Sequence, residues 1–299
     1  MIQIELVKGT YVLAVSGGVD SVALLHLVAT QPEYKSHTFI VAHFDHGIRS
    51  DSSLDRQLVQ DSAKKYSLQF VYNIAKLGAG ASEEQARKER YKFLHTVRRA
   101  CNADAIVTAH HQDDRIETAF INIQRGTGRR GITSLRSTND IVRPMLHISK
   151  KQIIDYAQSQ NLTWREDSTN DDTKYVRNHL RKNILPKLTR TQRKDFLDLL
   201  DRTQLINDDI DAMMINIIHA NSPRPGALSR HILYMLDHEE ACELLATWLR
   251  CNNVRRFNKK NIEQLVVYGK TLPRGVVAIS DAKKVTIQRR TLALEPLDR

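Results

Sequence analysis

The sequence predicts an α/β fold: a parallel-sheet, Rossmann-like domain followed by a smaller helical and α+β C-terminal domain. Three observations carry that expectation. Short β-branched runs alternate with longer stretches of helical period through the first half of the chain. A Ser/Gly segment joins the first of those runs directly to a helix. After Pro186 the alternation stops, and helices and then strands come in blocks.

Taken in order, Tyr11–Val15, Phe39–Ala42, Phe70–Ile74 and Ala105–Ala109 read as strands, because each is short, apolar and rich in β-branched or aromatic residues. Val22–Ala29, Leu54–Tyr66 and Glu83–Ala100 separate them with helical period. Strands joined by helix-length connections pair in parallel, and their ligands sit beyond the strands' carboxyl ends. Two more helices fit Asp114–Gln124 and Lys150–Ser159, the second entered at Ser149. Beyond Pro186 the sequence predicts a long helix over Gln192–Ala220 and a Pro/Gly break at Ser222–Gly226. Helices near Arg230–Cys251 and Asn258–Tyr268 follow, then a β-periodic tail over Val276–Leu294. The domain boundary is drawn between 189 and 190, giving a first domain over 1–189 and a linker plus C-terminal domain over 190–299.

With 299 residues, 41% hydrophobic and 26% charged, the chain has the composition of a globular protein. The 45 basic and 34 acidic side chains leave a net charge of +11, which favours a polyanionic partner. Nothing approaches the ~20 apolar residues of a spanning helix, and the first residues lack a leader's basic and small-residue pattern, so the expectation is a soluble cytoplasmic protein without a membrane partner. Cys101, Cys242 and Cys251 have no Cys-x-x-Cys spacing, which excludes a disulfide framework or a four-thiolate cluster drawn from them.

The chemistry gathers after the strands. Ser16-Gly17-Gly18-Val19-Asp20-Ser21 leads from strand into helix. Its glycines allow close backbone approach to an anion, its serines supply hydroxyls, and the helix N-terminus attracts negative charge, so the segment is a phosphate cradle. It lacks the Lys of a Walker A loop and the spacing of a dinucleotide fingerprint. Asp20 is a hard oxygen ligand suited to Mg²⁺ or, alternatively, an acid stabilised by the helix dipole. In His110-x-x-Asp113-Asp114-x-x-Glu117, residues His110, Asp114 and Glu117 share one face if helical. Arg87 and Arg90 lie a turn apart, either clamping an anion or pairing with neighbouring glutamates. His43, His46 and His111 read more simply as structural hydrogen-bonding groups. A basic run that includes Arg125, Arg129, Arg177 and Arg181 suits a nucleic-acid backbone, as do Lys174 and, in the tail, Arg255, Arg256, Arg289 and Arg290.

The Ser-Gly-Gly-Val-Asp-Ser segment resembles the pyrophosphate loop of the PP-loop ATP pyrophosphatases, which hold ATP by its β- and γ-phosphates, transfer AMP and release pyrophosphate. Further segments discriminate within that group: His43-Phe44-Asp45-His46-Gly47-Ile48-Arg49, Glu83 with Arg87 and Arg90-Tyr91, Thr108 to Asp114 with Glu117, Arg125-Gly126-Thr127-Gly128, Arg143-Pro144, and Asp167-Ser168-Thr169-Asn170 with Arg177 and Arg181. In this order they resemble the tRNA(Ile)-lysidine synthetase family, and the tail from Leu272 resembles its first C-terminal domain, as in short forms without a second one. Met145 and Arg274 depart from the family's usual Leu and Gly.

The resemblance implies a specific reaction. ATP adenylates the C2 oxygen of the wobble cytidine in the CAU anticodon of an isoleucine tRNA, and the ε-amine of free L-lysine displaces AMP. Ser16, Gly17, Gly18, Val19, Asp20 and Ser21 would hold ATP, with Asp20 on Mg²⁺. Asp114 and Glu117 would bind the lysine ammonium, Asp45 or His110 would move its proton, and Arg90 would clamp the intermediate. Arg125, Arg129, Arg177 and Arg181 would touch tRNA. Two alternatives remain, a PP-loop tRNA thiolase and a non-catalytic tRNA-binding protein. The first needs catalytic cysteines, and only Cys101 lies in the first domain.

Overall fold

The computed structural model describes residues 2–47, 52–75, 78, 82–165, 176–254, 257–280 and 282–297. They form two compact units, Met1–Asp201 and Arg202–Arg299. The first is built on β1 (Thr10–Ala14), β2 (Thr38–Asp45), β3 (Gln69–Ile74), β4 (Ala105–Val107) and β5 (Ile141–Val142). All pair in parallel, in the order β3-β2-β1-β4-β5. Helices α1 (Val19–Thr30), α2 (Ser52–Lys65), α3 (Glu83–Ala100), α4 (Gln112–Gln124), the short α5 (Arg129–Ile132) and α6 (Lys150–Ser159) follow the strands. The α/β expectation is met.

Both sheet faces are covered, which is why the strands read as continuous apolar runs. Val12 stands beside Ile40 and Ile106 and packs with Leu94 and Val97 of α3. One residue on, Leu13 stands beside Val41 and Val107 and packs with Leu24 of α1 and Ile153 of α6. Each such side chain contributes on the order of 1.5–3 kcal/mol by burial. The chain winds outward from β1 to β3 on one side and through β4 to β5 on the other, so strand order reverses between β1 and β4. Loops leaving those two strands open a crevice at their carboxyl ends.

Two details differ from the sequence reading. β2 continues through His43, Phe44 and Asp45, because His43 pairs with Tyr72 and Asp45 with Ile74, so the ladder carries polar residues to the sheet's upper edge. β5 and α5, two and four residues long, are too short to show periodicity.

α7 (Val176–His179) runs into a π-helical turn, Leu180–Ile184, and a 3-10 turn, Leu185–Lys187. α8 (Arg190–Ala220) follows, and the division between the two compact units falls inside it at 201/202. Its first turns belong with the first unit because Phe196 and Leu197 pack on Ile116 and Phe120 of α4. The second unit contains β6 (Ala227–Ser229), α9 (His231–Met235), α10 (His238–Cys251), α11 (Lys259–Thr271), β7 (Gly275–Ser280), β8 (Lys283–Ile287) and β9 (Thr291–Pro296). Its antiparallel sheet has the order β6-β9-β8-β7 and packs on a core around Trp248. The helix read over Arg230–Cys251 breaks at Asp237, whose carboxylate caps α10 in a reciprocal box with Glu240. No helix among the described residues is long and apolar enough to cross a membrane.

Candidate active site

The loop after β1 turns back through Gly17 at φ +100°, a conformation that costs a side chain but not glycine. The amides of Ser16 and Gly17 both donate to Ser21 Oγ at 3.2 Å, and Ser21 Oγ donates to the Gly18 carbonyl at 2.9 Å. Val19 is buried and anchors the loop from below. Gly18 stands at the N-cap of α1 with no side-chain cap on the first helical amides, so the helix start remains available to an anion. His43 braces the loop from β2, its Nδ1 donating to the Val15 carbonyl at 2.9 Å.

Asp20, in the first turn of α1, meets Lys150 at the start of α6. Lys150 Nζ lies 2.6 Å from Oδ1 and 2.8 Å from Oδ2. His111 Nε2 is 3.7 Å from Asp20 Oδ2 and 3.5 Å from Asp114 Oδ2, so one imidazole bridges the loop after β1 and the helix after β4. Burial alone would raise the Asp20 pKa, but the hydrogen bonds and charges of His111 and Lys150 outweigh it and hold the carboxyl at about 2. Burial pulls His111 down, whereas Asp20 and Asp114 push it above its ordinary value. From sequence His111 reads as a minor structural group; the structure puts it at the centre of this network.

Asp114 and Glu117 lie on one face of α4, as their spacing predicts. Glu117 is 1% exposed, with Oε1 2.6 Å from Arg181 Nε and Oε2 3.5 Å from Arg177 Nε; Arg181 also donates to Asp114 at 3.1 Å. Burial raises the Glu117 pKa against the opposing pull of Arg181 and Arg177. Two of the four guanidinium groups read from sequence as contacts to an RNA backbone, those of Arg177 and Arg181, are therefore at this carboxylate pair. Asp113 turns away to Arg193 at 2.8 Å.

His110 sits with Nδ1 2.8 Å from the Thr108 hydroxyl. Burial, reinforced by Arg143, Arg90 and Arg87 and only partly opposed by Asp114, lowers it to about 3. Its environment thus favours the neutral imidazole. Asp45, at the end of β2, accepts from the Gly47 amide at 2.8 Å and from Ser52 Oγ at 3.0 Å. Arg87 and Arg90 flank the Tyr91 ring, at 4.9 and 5.5 Å from its centroid. Arg125 is exposed at the end of α4, and Arg129 opens α5. Ile48, Arg49, Asp167, Ser168, Thr169, Asn170, Lys174, Arg255, Arg256 and the Glu83 side chain lie outside the described residues.

Sequence reasoning missed Lys150, Asp55 and Arg165. Their partners are 110 to 130 residues away in the chain, and no local pattern reports such a meeting. Among the described residues, no group of three or more His, Cys, Asp or Glu could hold a metal ion. Mg²⁺ characteristically takes one or two carboxylates and completes its shell with water and substrate phosphates; Asp20 is the carboxylate beside the cradle that would serve it, and both of its oxygens now meet Lys150.

The chain is similar to several known proteins. A tRNA(Ile)-lysidine synthase of Thermosipho africanus is 39% identical over 181 residues, covering 58% of this chain and 42% of that protein. One from Thermus thermophilus is 40% identical over 188 residues, covering 60% of this chain and 36% of its own. One from Lactiplantibacillus plantarum is 28% identical over 271 residues, covering 87% and 60% respectively. The chain thus spans about half the length of the curated relatives it matches. A U34-tRNA thiolase from Methanococcus maripaludis superposes with a TM-score of 0.51 at 16% identity, covering 64% of this chain and 70% of its own, a likeness of fold alone. The family model described as the PP-loop domain matches residues 2–188, the stretch that carries the phosphate cradle, the His111 bridge and the carboxylate pair, and the chain belongs to that family.

Proposed function

We propose that this chain is an ATP-dependent, AMP-forming tRNA(Ile)-lysidine synthetase that acts on the wobble cytidine of a CAU anticodon. One observation carries the reading: His111 joins Asp20, beside the phosphate cradle, to Asp114, beside Glu117, at 3.7 and 3.5 Å. An anion-binding loop and an acidic pair suited to an ammonium thus share one crevice, which is what activation by ATP followed by attack of an amine requires. The names of the relatives supply the substrate, and the net charge of +11 suits an RNA partner.

In the first step the cytidine C2 oxygen attacks the α-phosphorus, an O–P bond forms, and the bond to the β-phosphate oxygen breaks. The residues Ser16–Ser21 bind the departing pyrophosphate through backbone amides and hydroxyls, and Lys150 adds a positive charge. Mg²⁺ on Asp20 and the phosphates would neutralise charge on the leaving group. In the second step the lysine ε-nitrogen bonds to C2, the C2–O bond breaks and AMP leaves. Asp114 and Glu117 bind the ammonium, which shares or displaces Arg181. The amine must shed a proton before it attacks. Asp45, which already accepts from the Gly47 amide and Ser52, or His110 takes that proton. Arg90 holds the adenylated cytidine, Arg125 and Arg129 contact the RNA backbone, and the reaction takes place in the cytoplasm with its tRNA.

A thiolase on the same fold has less support, since the curated relatives reported above carry the lysidine name and the likeness to a thiolase is one of fold. Mass analysis of nucleosides from a treated isoleucine tRNA transcript separates the two. A lysine-bearing cytidine supports the proposal, and a thiolated or unchanged nucleoside refutes it.

A further inference from the structure

A loop that offers amides to a phosphate must turn its carbonyls backward, and each buried carbonyl then needs a donor. Here the Val15 carbonyl is met by His43 and the Gly18 carbonyl by Ser21. The Gly17 carbonyl, at the residue whose φ is +100°, is met from outside the loop by the Arg165 amide at 3.1 Å. The same residue then reaches α2, where Arg165 Nε lies 2.6 Å from Asp55 Oδ1. Asp55 is 7% exposed and lies directly behind Gly17: a Cβ built at Gly17 would be 3.5 Å from Asp55 Cβ and 3.7 Å from its carbonyl oxygen. That spacing is ordinary contact, so the backbone conformation and not lack of room requires glycine here.

We infer that Asp55 and Arg165 are positioning residues for the phosphate cradle. Their ion pair fixes the Arg165 backbone, the Arg165 amide fixes the Gly17 peptide, and the turn into α1, whose first amides carry no side-chain cap, is thereby held toward the triphosphate. Neither side chain touches ATP. The pair acts on ATP and pyrophosphate, and lysine is handled by other residues. The inference rests on the reading of the loop as an ATP site and is independent of which RNA is modified.

The test measures binding of ATP with Mg²⁺, and of pyrophosphate alone, by calorimetry on the full chain. The variants are Asp55→Asn, which preserves shape, Arg165→Met, which preserves the stem, Arg165→Lys, and the Asp55→Asn/Arg165→Met double variant. Each single removal is expected to weaken both ligands roughly tenfold, and the double variant no more than either single one, because the two side chains act as one unit. Arg165→Lys should recover part of the loss. The KM for lysine should stay unchanged while the KM for ATP rises. In the wild-type chain, hydrogen exchange at the Arg165 amide should be slow and slow further when ATP is added. Unchanged ATP affinity, additive losses, equal rises in both KM values, or an Arg165 amide that exchanges as fast as open backbone would each overturn the inference. If the wild-type chain binds neither ATP nor pyrophosphate, the reading of the loop itself fails, which is a separate result.

Discussion

Replacing Asp20 by Asn removes one charge from the network beneath the phosphate cradle without changing its shape. The carboxyl lies at about 2 instead of 3.8 because Lys150 and His111 stabilise its ionised form more than burial disfavours it. At about 1.4 kcal/mol for each tenfold change in proton affinity, the ionised group contributes about 2.5 kcal/mol to the folded first unit. A depressed carboxyl stabilises fully above its unfolded value of 3.8, and the contribution disappears as pH falls through about 2. Urea unfolding of wild type and Asp20→Asn should therefore differ by about 2.5 kcal/mol at pH 7 and by roughly half that at pH 3. His111 gives the opposite dependence. Its raised pKa stabilises below the ordinary histidine value and is lost as pH rises through its folded value, so removing Asp20 should also lower the pH at which His111 titrates by NMR. The same variant should lose tRNA-dependent pyrophosphate release. Equal stability at pH 7, a difference that does not shrink in acid, or an unmoved His111 titration would refute the reasoning.

Two further outcomes follow from the same geometry. Glu117→Ala should keep pyrophosphate release but lose lysine transfer by about ten- to a hundredfold, the worth of one charged hydrogen bond, with partial rescue by excess lysine; equal loss of both steps, measured by pyrophosphate release and labelled-lysine transfer, would move Glu117 to the ATP side. Filter binding of tRNA should weaken by orders of magnitude over a few-fold rise in salt, because several phosphates exchange their counterions for arginine and lysine, and a flat response would remove the basic surface from the account.

What was legible in the sequence was local. Ser149 with Gln152 forms the capping box that starts α6 where the sequence places it, and α3 spans Glu83–Ala100 as its periodicity predicts. The cradle was readable because its glycines, hydroxyls and acid are contiguous, and the Asp114–Glu117 face because residues three apart on a helix are neighbours. The remainder depends on contacts between distant segments. Lys150 reaches Asp20 only because α6 packs on α1, and Arg165 reaches Asp55 only because the chain returns past β1 after α6. Arg181 looks like a surface charge in a basic run, and its carboxylate partners 64 and 67 residues earlier give no signal in that run. His111 is hidden for a different reason. A histidine before a helix has many structural uses, and only the approach of Asp20 from another strand's loop gives it two carboxylate neighbours.

The central claim is tested most directly by incubating the chain with ATP, Mg²⁺, labelled L-lysine and an isoleucine tRNA transcript carrying the CAU anticodon, then recovering the RNA. The account predicts ATP-dependent label in that RNA, localised to the wobble position, and none in a transcript whose wobble cytidine is replaced by uridine. Label that never enters RNA while pyrophosphate is released, or that enters both transcripts equally, would contradict it.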